Sequence, residues 1–270
     1  GSFQGHPGGF GWFSLDEVKA AMGPEHEKPK DRSRFHDEMD RLPHFRPPAI
    51  LLPHGTVGNS ASGIAPDVSK GKFGPFREQL FVADQTHSVI NRCFLEKVNG
   101  YYQGACFPFV KGFGSGNVPV VQASDGSLFS GGTDRGWGAR GGKRYALDRV
   151  VWTGKTPFEI LEMRIKKDGF ELEFTKPVDK KTAESLESYE MKTHTYIFQG
   201  KYGSPRVDAS TPSIKTAKLA KDGKTVRLVI EGMQRGHVHE LKSGGVRSKE
   251  ENHPLLHDMA YYTIWNFPKS

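Results

Sequence analysis

No apolar run in this 270-residue chain approaches the roughly 20 residues that a membrane-crossing helix needs, so no membrane span is expected. Cysteine is almost absent. Two thiols, Cys93 and Cys106, exclude a disulfide-dense scaffold. A Cys-x-x-Cys-His haem site, a nucleophile elbow, a phosphate-binding glycine loop and a zinc-protease helix are all missing, which removes the enzyme classes those motifs mark. No leader sequence is read in the first residues, so export has to be read from other features. The formal charge is +7, from 38 Lys and Arg against 31 Asp and Glu. The cations are scattered among acids, as in "EHEKPKDRSR", "MRIKKDG" and "DKKTAES", with no basic helix and no aromatic–basic RNA motif. Nucleic acid is not an expected partner.

What the chain has instead is glycine (32), proline (17) and phenylalanine (18), the composition of many short strands joined by tight turns. Residues 1–50 read as irregular, with a short helix over "SLDEVKAAMG" capped by Ser14 and a charged, proline-bounded insertion over 20–48. From Ala49 the pattern becomes short strands: "AILLPH", "QLFVADQ", "VINRCFLEKV", "YYQGACFPFV", "VPVVQAS", "SLFSGG" and "DRVVWTG". An Asp-Gly turn feeding a strand that ends in small residues, as in "ASDGSLFSGG", recurs in propeller blades, whose inner strands must be slim near the axis. After Thr153 the alternation in "FEILEMRIKKDGFELEFTKPVD" and its successors predicts a small immunoglobulin-like sandwich, with Phe170, Leu172 and Phe174 on one inward face. The expectation is an all-β chain: the last blades of a β-propeller over 1–152, then an immunoglobulin-like β-sandwich over 153–270.

Between the cysteines lies "FLEKVNGYYQGA", in which Asn99-Gly100 is a favoured two-residue hairpin turn. Counting outward from that turn sets Cys93 opposite Cys106 at a non-hydrogen-bonded position. Either a cross-strand disulfide, suited to an exported protein, or a pair of buried free thiols fits there.

The order "GHPGG", "LLPHGTVGNSASGI", "QLFVADQTHSVINRCFLEKVNGYYQGACFPFVKGF", "VPVVQASDGSLFSGGTDRGWG" resembles the last blades of the glucose/sorbosone dehydrogenase family of six-bladed propellers. It is closest to the propeller-plus-sandwich segment of large secreted planctomycete-type proteins, whose trailing sandwich "FTKPVD", "YGSPRVD", "GHVHEL" and "PLLHDMAYYT" resemble. The resemblance implies a sugar- or polyol-directed, quinone-dependent oxidoreductase-like module, exported to the periplasm or beyond the cell. It implies pyrroloquinoline quinone and calcium as cofactors of the full-length protein. The competing expectation is a non-catalytic carbohydrate-binding or scaffolding module that has lost the cofactor site. The family's catalytic histidine lies upstream of these blades, and Gly116 and Val118 stand where its cofactor-clamping arginines are expected. The expected partners are a carbohydrate or other small molecule, and the remaining blades or another chain, since 1–152 is too short to close a propeller.

Candidate pocket residues follow strand ends: His54, then Asp84, Gln85, His87 and Arg92. Arg92 matches the family's Asn-Arg position, with a blade-to-blade salt bridge as its structural alternative. The glycine-rich "GTDRGWGARGG" over 132–142 adds Arg135, Trp137 and Arg140, a site for an anionic cofactor or an acidic sugar, with an indole to stack on a pyranose. The plainer expectation for it is a solvated hairpin loop. His237 and His239, at i and i+2 on one strand, are metal candidates together with His194 or His257.

Overall fold

The computed structural model describes residues 16, 17, 20, 29–42, 45–201 and 203–269. Ser14, the expected helix cap, and most of the helix behind it lie outside the described residues. Within the expected charged insertion a helix forms, α1 (Phe35–Arg41), and it buries Phe35, Glu38 and Met39. One other short helix, α2 (Lys180–Glu184), is capped by Asp179, whose carboxylate accepts from the Thr182 N–H.

The rest is strand: β1 (Ala61–Pro66), β2 (Leu80–Asp84), β3 (Val89–Val98), β4 (Tyr101–Lys111), β5 (Asn117–Gln122), β6 (Leu128–Thr133), β7 (Tyr145–Val150), β8 (Ile160–Lys166), β9 (Gly169–Phe174), β10 (Glu190–Thr195), β11 (Val207–Ser210), β12 (Ser213–Leu219), β13 (Thr225–Glu231), β14 (Val238–Lys242) and β15 (Met259–Thr263). All named pairings are antiparallel, in three open sheets ordered β1-β2-β3-β4-β15-β14-β10-β11, β12-β13-β9-β8 and β5-β6-β7. The expected strand "AILLPH" is irregular apart from a single bridge at His54. There Leu51 N–H turns to the Thr263 hydroxyl rather than to a neighbouring strand.

The β3–β4 hairpin shows how local chemistry sets register. Asn99 and Gly100 take φ of 49° and 89°, the left-handed pair that a two-residue turn requires, and the strands zip from Val98↔Tyr101 to Cys93↔Cys106 and beyond. β4 then pairs with β15, Tyr261 opposite Cys106, so the long sheet runs across residue 152 and joins strands from both halves of the sequence.

That long sheet is covered on both faces. Phe170, Leu172 and Phe174 point inward from β9 and pack with Phe94, Phe107, Leu241 and Tyr262 of the long sheet, forming a sandwich core. On the opposite face α1 and the segment after it bring Phe35, Phe45, Leu51 and Val57 onto Val82, Cys93, Cys106 and Tyr261. A third core, around Phe73, Phe81, Ile90 and Leu128, joins β5-β6-β7 to β2 and β3.

Candidate functional site

Arg92 sits where the sandwich core and the third core meet. It is 1% exposed, so it lines no mouth. Its guanidinium donates to Gln79 Oε1 at 2.6 Å, the Leu161 carbonyl at 2.8 Å and the Ile160 carbonyl at 2.5 Å, and lies 4.4 Å and 4.6 Å from the rings of Phe107 and Phe76. Burial lowers its pKa to about 10, against the pull of Glu159, so it keeps its proton at neutral pH. This is a clamp between β3 and β8.

The other strand-end residues do converge. Asp84, 1% exposed, accepts from the backbone N–H of Asn59 (2.7 Å), Ser60 (2.8 Å) and His87 (2.8 Å), closing the turn after β2 on to the segment behind His54. Burial lowers the His87 pKa, with Arg140 and His54 adding to the effect and Asp84 opposing it. His87 Nδ1 lies 3.9 Å from the Asp84 carboxylate, and the charges of Arg140 and His54 reach the same imidazole.

The loop between β6 and β7 is laid against this turn. Gln85 Nε2 donates to the carbonyls of Thr133 and Trp137, both at 3.0 Å, Arg140 N–H reaches the Thr86 carbonyl, and Gly141 N–H reaches the Ser88 hydroxyl. Two of the glycines answer other local demands, Gly141 to the segment after β4 and Gly136 to a left-handed turn. A Cβ at Gly141 would lie 2.5 Å from the Phe113 carbonyl oxygen, and Gly136 takes φ of 88°. With the backbone pinned, the side chains face water: Trp137 is 77% exposed and Tyr145, at the start of β7, is 80% exposed. Arg135, Arg140, Lys143 and Arg144 are exposed beside them, in no ion pair among the described residues, and Asp134 is the one acid within residues 132–145.

Of the four histidines considered for metal, His237 is buried within electrostatic reach of His194 and His239, but the set does not gather round one point. His239 is enclosed against Phe170 on the sandwich side, accepting from Gln234 N–H, and burial lowers its pKa to about 3. His257 Nδ1 meets Glu159 at 2.8 Å. His194 lies on the other face of the long sheet, since side chains alternate along β10. Among the described residues no group of three His, Cys, Asp or Glu is placed to hold a metal ion.

His194 belongs to a network that the sequence reading missed. Its Nδ1 lies 3.2 Å from Glu240 Oε1 and its Nε2 3.1 Å from the Tyr196 hydroxyl. Since the carboxylate only accepts, Nδ1 carries the proton and Tyr196 donates to Nε2. The Tyr196 oxygen accepts from His54 N–H at 3.2 Å, and Arg206 bridges Glu240 to Thr56. The i, i+2 spacing of His194 and Tyr196 in "MKTHTYIF" was the available signal. Tyr196 and His54 edge a cleft of about 460 Å³ whose walls include Phe35, Pro48, Ile50 and Leu52. Among the described residues no arginine, lysine or carboxylate lines it. With the Tyr196 proton committed to His194, the network holds the 53–58 turn on the sheet and leaves the His54 imidazole as the ionisable group at the cleft among the described residues.

No family model and no curated protein matches the chain. Among solved structures it is similar, at 16% identity, to the N-terminal part of the bacterial S-layer protein SbsC (TM-score 0.33) and to domains 1–6 of that protein (TM-score 0.32). Each similarity covers 44% of this chain, and 26% and 15% of the respective S-layer chains.

Proposed function

We propose that the chain is a carbohydrate-binding module of an exported protein, and that the β6–β7 loop is where it takes an acidic polysaccharide. One observation carries this: two large aromatic side chains, Trp137 and Tyr145, stand more than three-quarters exposed on a backbone that Gln85, Thr86 and Ser88 hold in place. A pinned loop loses little further freedom when a ligand stacks on it. Indole and phenol faces suit the C–H face of a pyranose ring. The guanidiniums of Arg135, Arg140 and Arg144 match a uronate carboxylate in shape and charge.

Quinone-dependent oxidation is the poorer fit to these residues. A tricarboxylate quinone needs cations around it, and among the described residues no lysine or arginine lines the cleft beside His54. Arg92 is committed to Gln79, Ile160 and Leu161. Calcium sites are rich in carboxylates, and among the described residues no three His, Cys, Asp or Glu side chains gather as a metal site would need. No catalytic step is assigned to the chain.

Titration with a uronic-acid polymer such as polygalacturonate, beside neutral dextran, tests the proposal. Saturable binding of the acidic polymer that weakens with added salt supports it. Equal affinity for both polymers, or none for either, refutes it.

A further inference from the structure

We propose that Cys93 and Cys106 are a modification site: they form a cross-strand disulfide that locks β3 to β4 in the middle of the long sheet. The chain holds two cysteines in 270 residues, and the fold sets one directly opposite the other. Val98↔Tyr101, next to the two-residue turn, is a hydrogen-bonded pair, so strict alternation makes Cys93↔Cys106 a non-hydrogen-bonded one. Cα atoms at such pairs are about 4.5 Å apart, within the roughly 4.4–6.8 Å that a disulfide spans. The two thiols stand on one face of the hairpin at this pair, and the residues are 3% and 0% exposed.

The oxidant is a small-molecule or protein disulfide. One cysteine thiolate attacks a sulfur of that disulfide, forming a mixed disulfide and expelling a thiolate. The second cysteine thiolate then attacks the linked cysteine sulfur, closing Cys93–Cys106 and expelling the other thiolate. Two protons pass through water to the two leaving groups. The cysteine pair loses two electrons, and the partner disulfide becomes two thiols.

The fold also sets the timing. Phe35, Leu51 and Val57 cover this face, and contact with Cys93 together with burial pushes the Cys106 thiol well up, so the closed protein presents no reactive thiolate. Exchange therefore precedes the docking of α1 and the segment behind it.

The test starts from reduced protein, unfolded in urea and refolded with oxidised glutathione. It is then alkylated with iodoacetamide in denaturant, with and without prior reduction, and weighed intact. The expected result is no alkylated cysteine without reduction and two with it. A sample kept folded throughout should stay unoxidised over the same time. Two alkylated cysteines without reduction, in protein whose circular dichroism shows that it refolded, overturn the proposal. Stability gives a second readout. The oxidised protein should unfold at higher urea than its reduced form, while Cys93→Ala/Cys106→Ala shows no response to glutathione. Equal midpoints for the oxidised and reduced protein overturn the claim that the bond locks the hairpin.

Discussion

Replacing Arg92 by methionine separates a clamp from a ligand-binding residue. Methionine keeps most of the apolar stem and removes every donor. Leu161 O keeps the bond it accepts from Gln79 Nε2 at 2.8 Å, but Ile160 O and Gln79 Oε1 lose the partner that Arg92 provides. Each acceptor left bare in the interior costs about 1–3 kcal/mol, and the contacts with the Phe76 and Phe107 rings go as well. Against this, the variant no longer buries a charge, a burden of several kcal/mol that shows in the lowered Arg92 pKa. Gln79, Ile160 and Leu161 are neutral partners, so no opposite charge is left unpaired, and two bare acceptors set against the relieved charge give an expected loss of about 1–3 kcal/mol. Urea unfolding followed by fluorescence measures it, as a lower midpoint with an unchanged slope. A variant as stable as the parent, with weakened ligand binding, would refute the reasoning and return Arg92 to a binding role.

Two further predictions follow from the core. Folding lowers the His239 pKa to about 3, so the unfolded chain takes up this proton first, near 6.5. Its contribution is complete above pH 6.5 and falls by up to about 1.4 kcal/mol per pH unit as pH drops toward 3, with His237, held at about 4 by burial, acting in the same direction. The urea midpoint should therefore fall between pH 6.5 and 4.5 and fall less in His239→Leu; identical pH profiles would contradict the assignment. In β4, a Cβ at Gly104 would lie 1.9 Å from the Phe94 carbonyl oxygen, so Gly104→Ala must push β3 and β4 apart. A loss of about 1–3 kcal/mol is expected, and an unchanged unfolding midpoint would show that the strands are not packed as described.

The features legible in the sequence are those set by neighbours in the chain. Asn99-Gly100 fixes the β3–β4 register because few residues tolerate two successive left-handed conformations, and the pairing of Cys93 with Cys106 follows by counting. The inward face of Phe170, Leu172 and Phe174 follows from period-two alternation. That β15 lies between β4 and β14 is not legible, because the pairing joins residues more than 150 positions apart and no local pattern encodes it. Arg92 shows the same limit at the scale of one side chain. An arginine after a strand end reads as a pocket cation until the carbonyls of Ile160 and Leu161 are seen facing it from a distant strand. The solvated character of the "GTDRGWGARGG" loop was open to inference from its glycines, and the hold that Gln85 keeps on its Thr133 and Trp137 carbonyls was not.

The central claim rests on Trp137, and its fluorescence tests that claim most directly. Titrating polygalacturonate into the protein at low salt should shift the emission to shorter wavelength as the exposed indole is covered. Trp137→Ala should lose that shift and weaken binding about tenfold or more, the size of an aromatic hot spot. Because this side chain is 77% exposed, the unfolding midpoint should change little. Wild-type protein and Trp137→Ala binding the polymer with equal affinity, or wild-type emission that does not respond to it, would contradict the account.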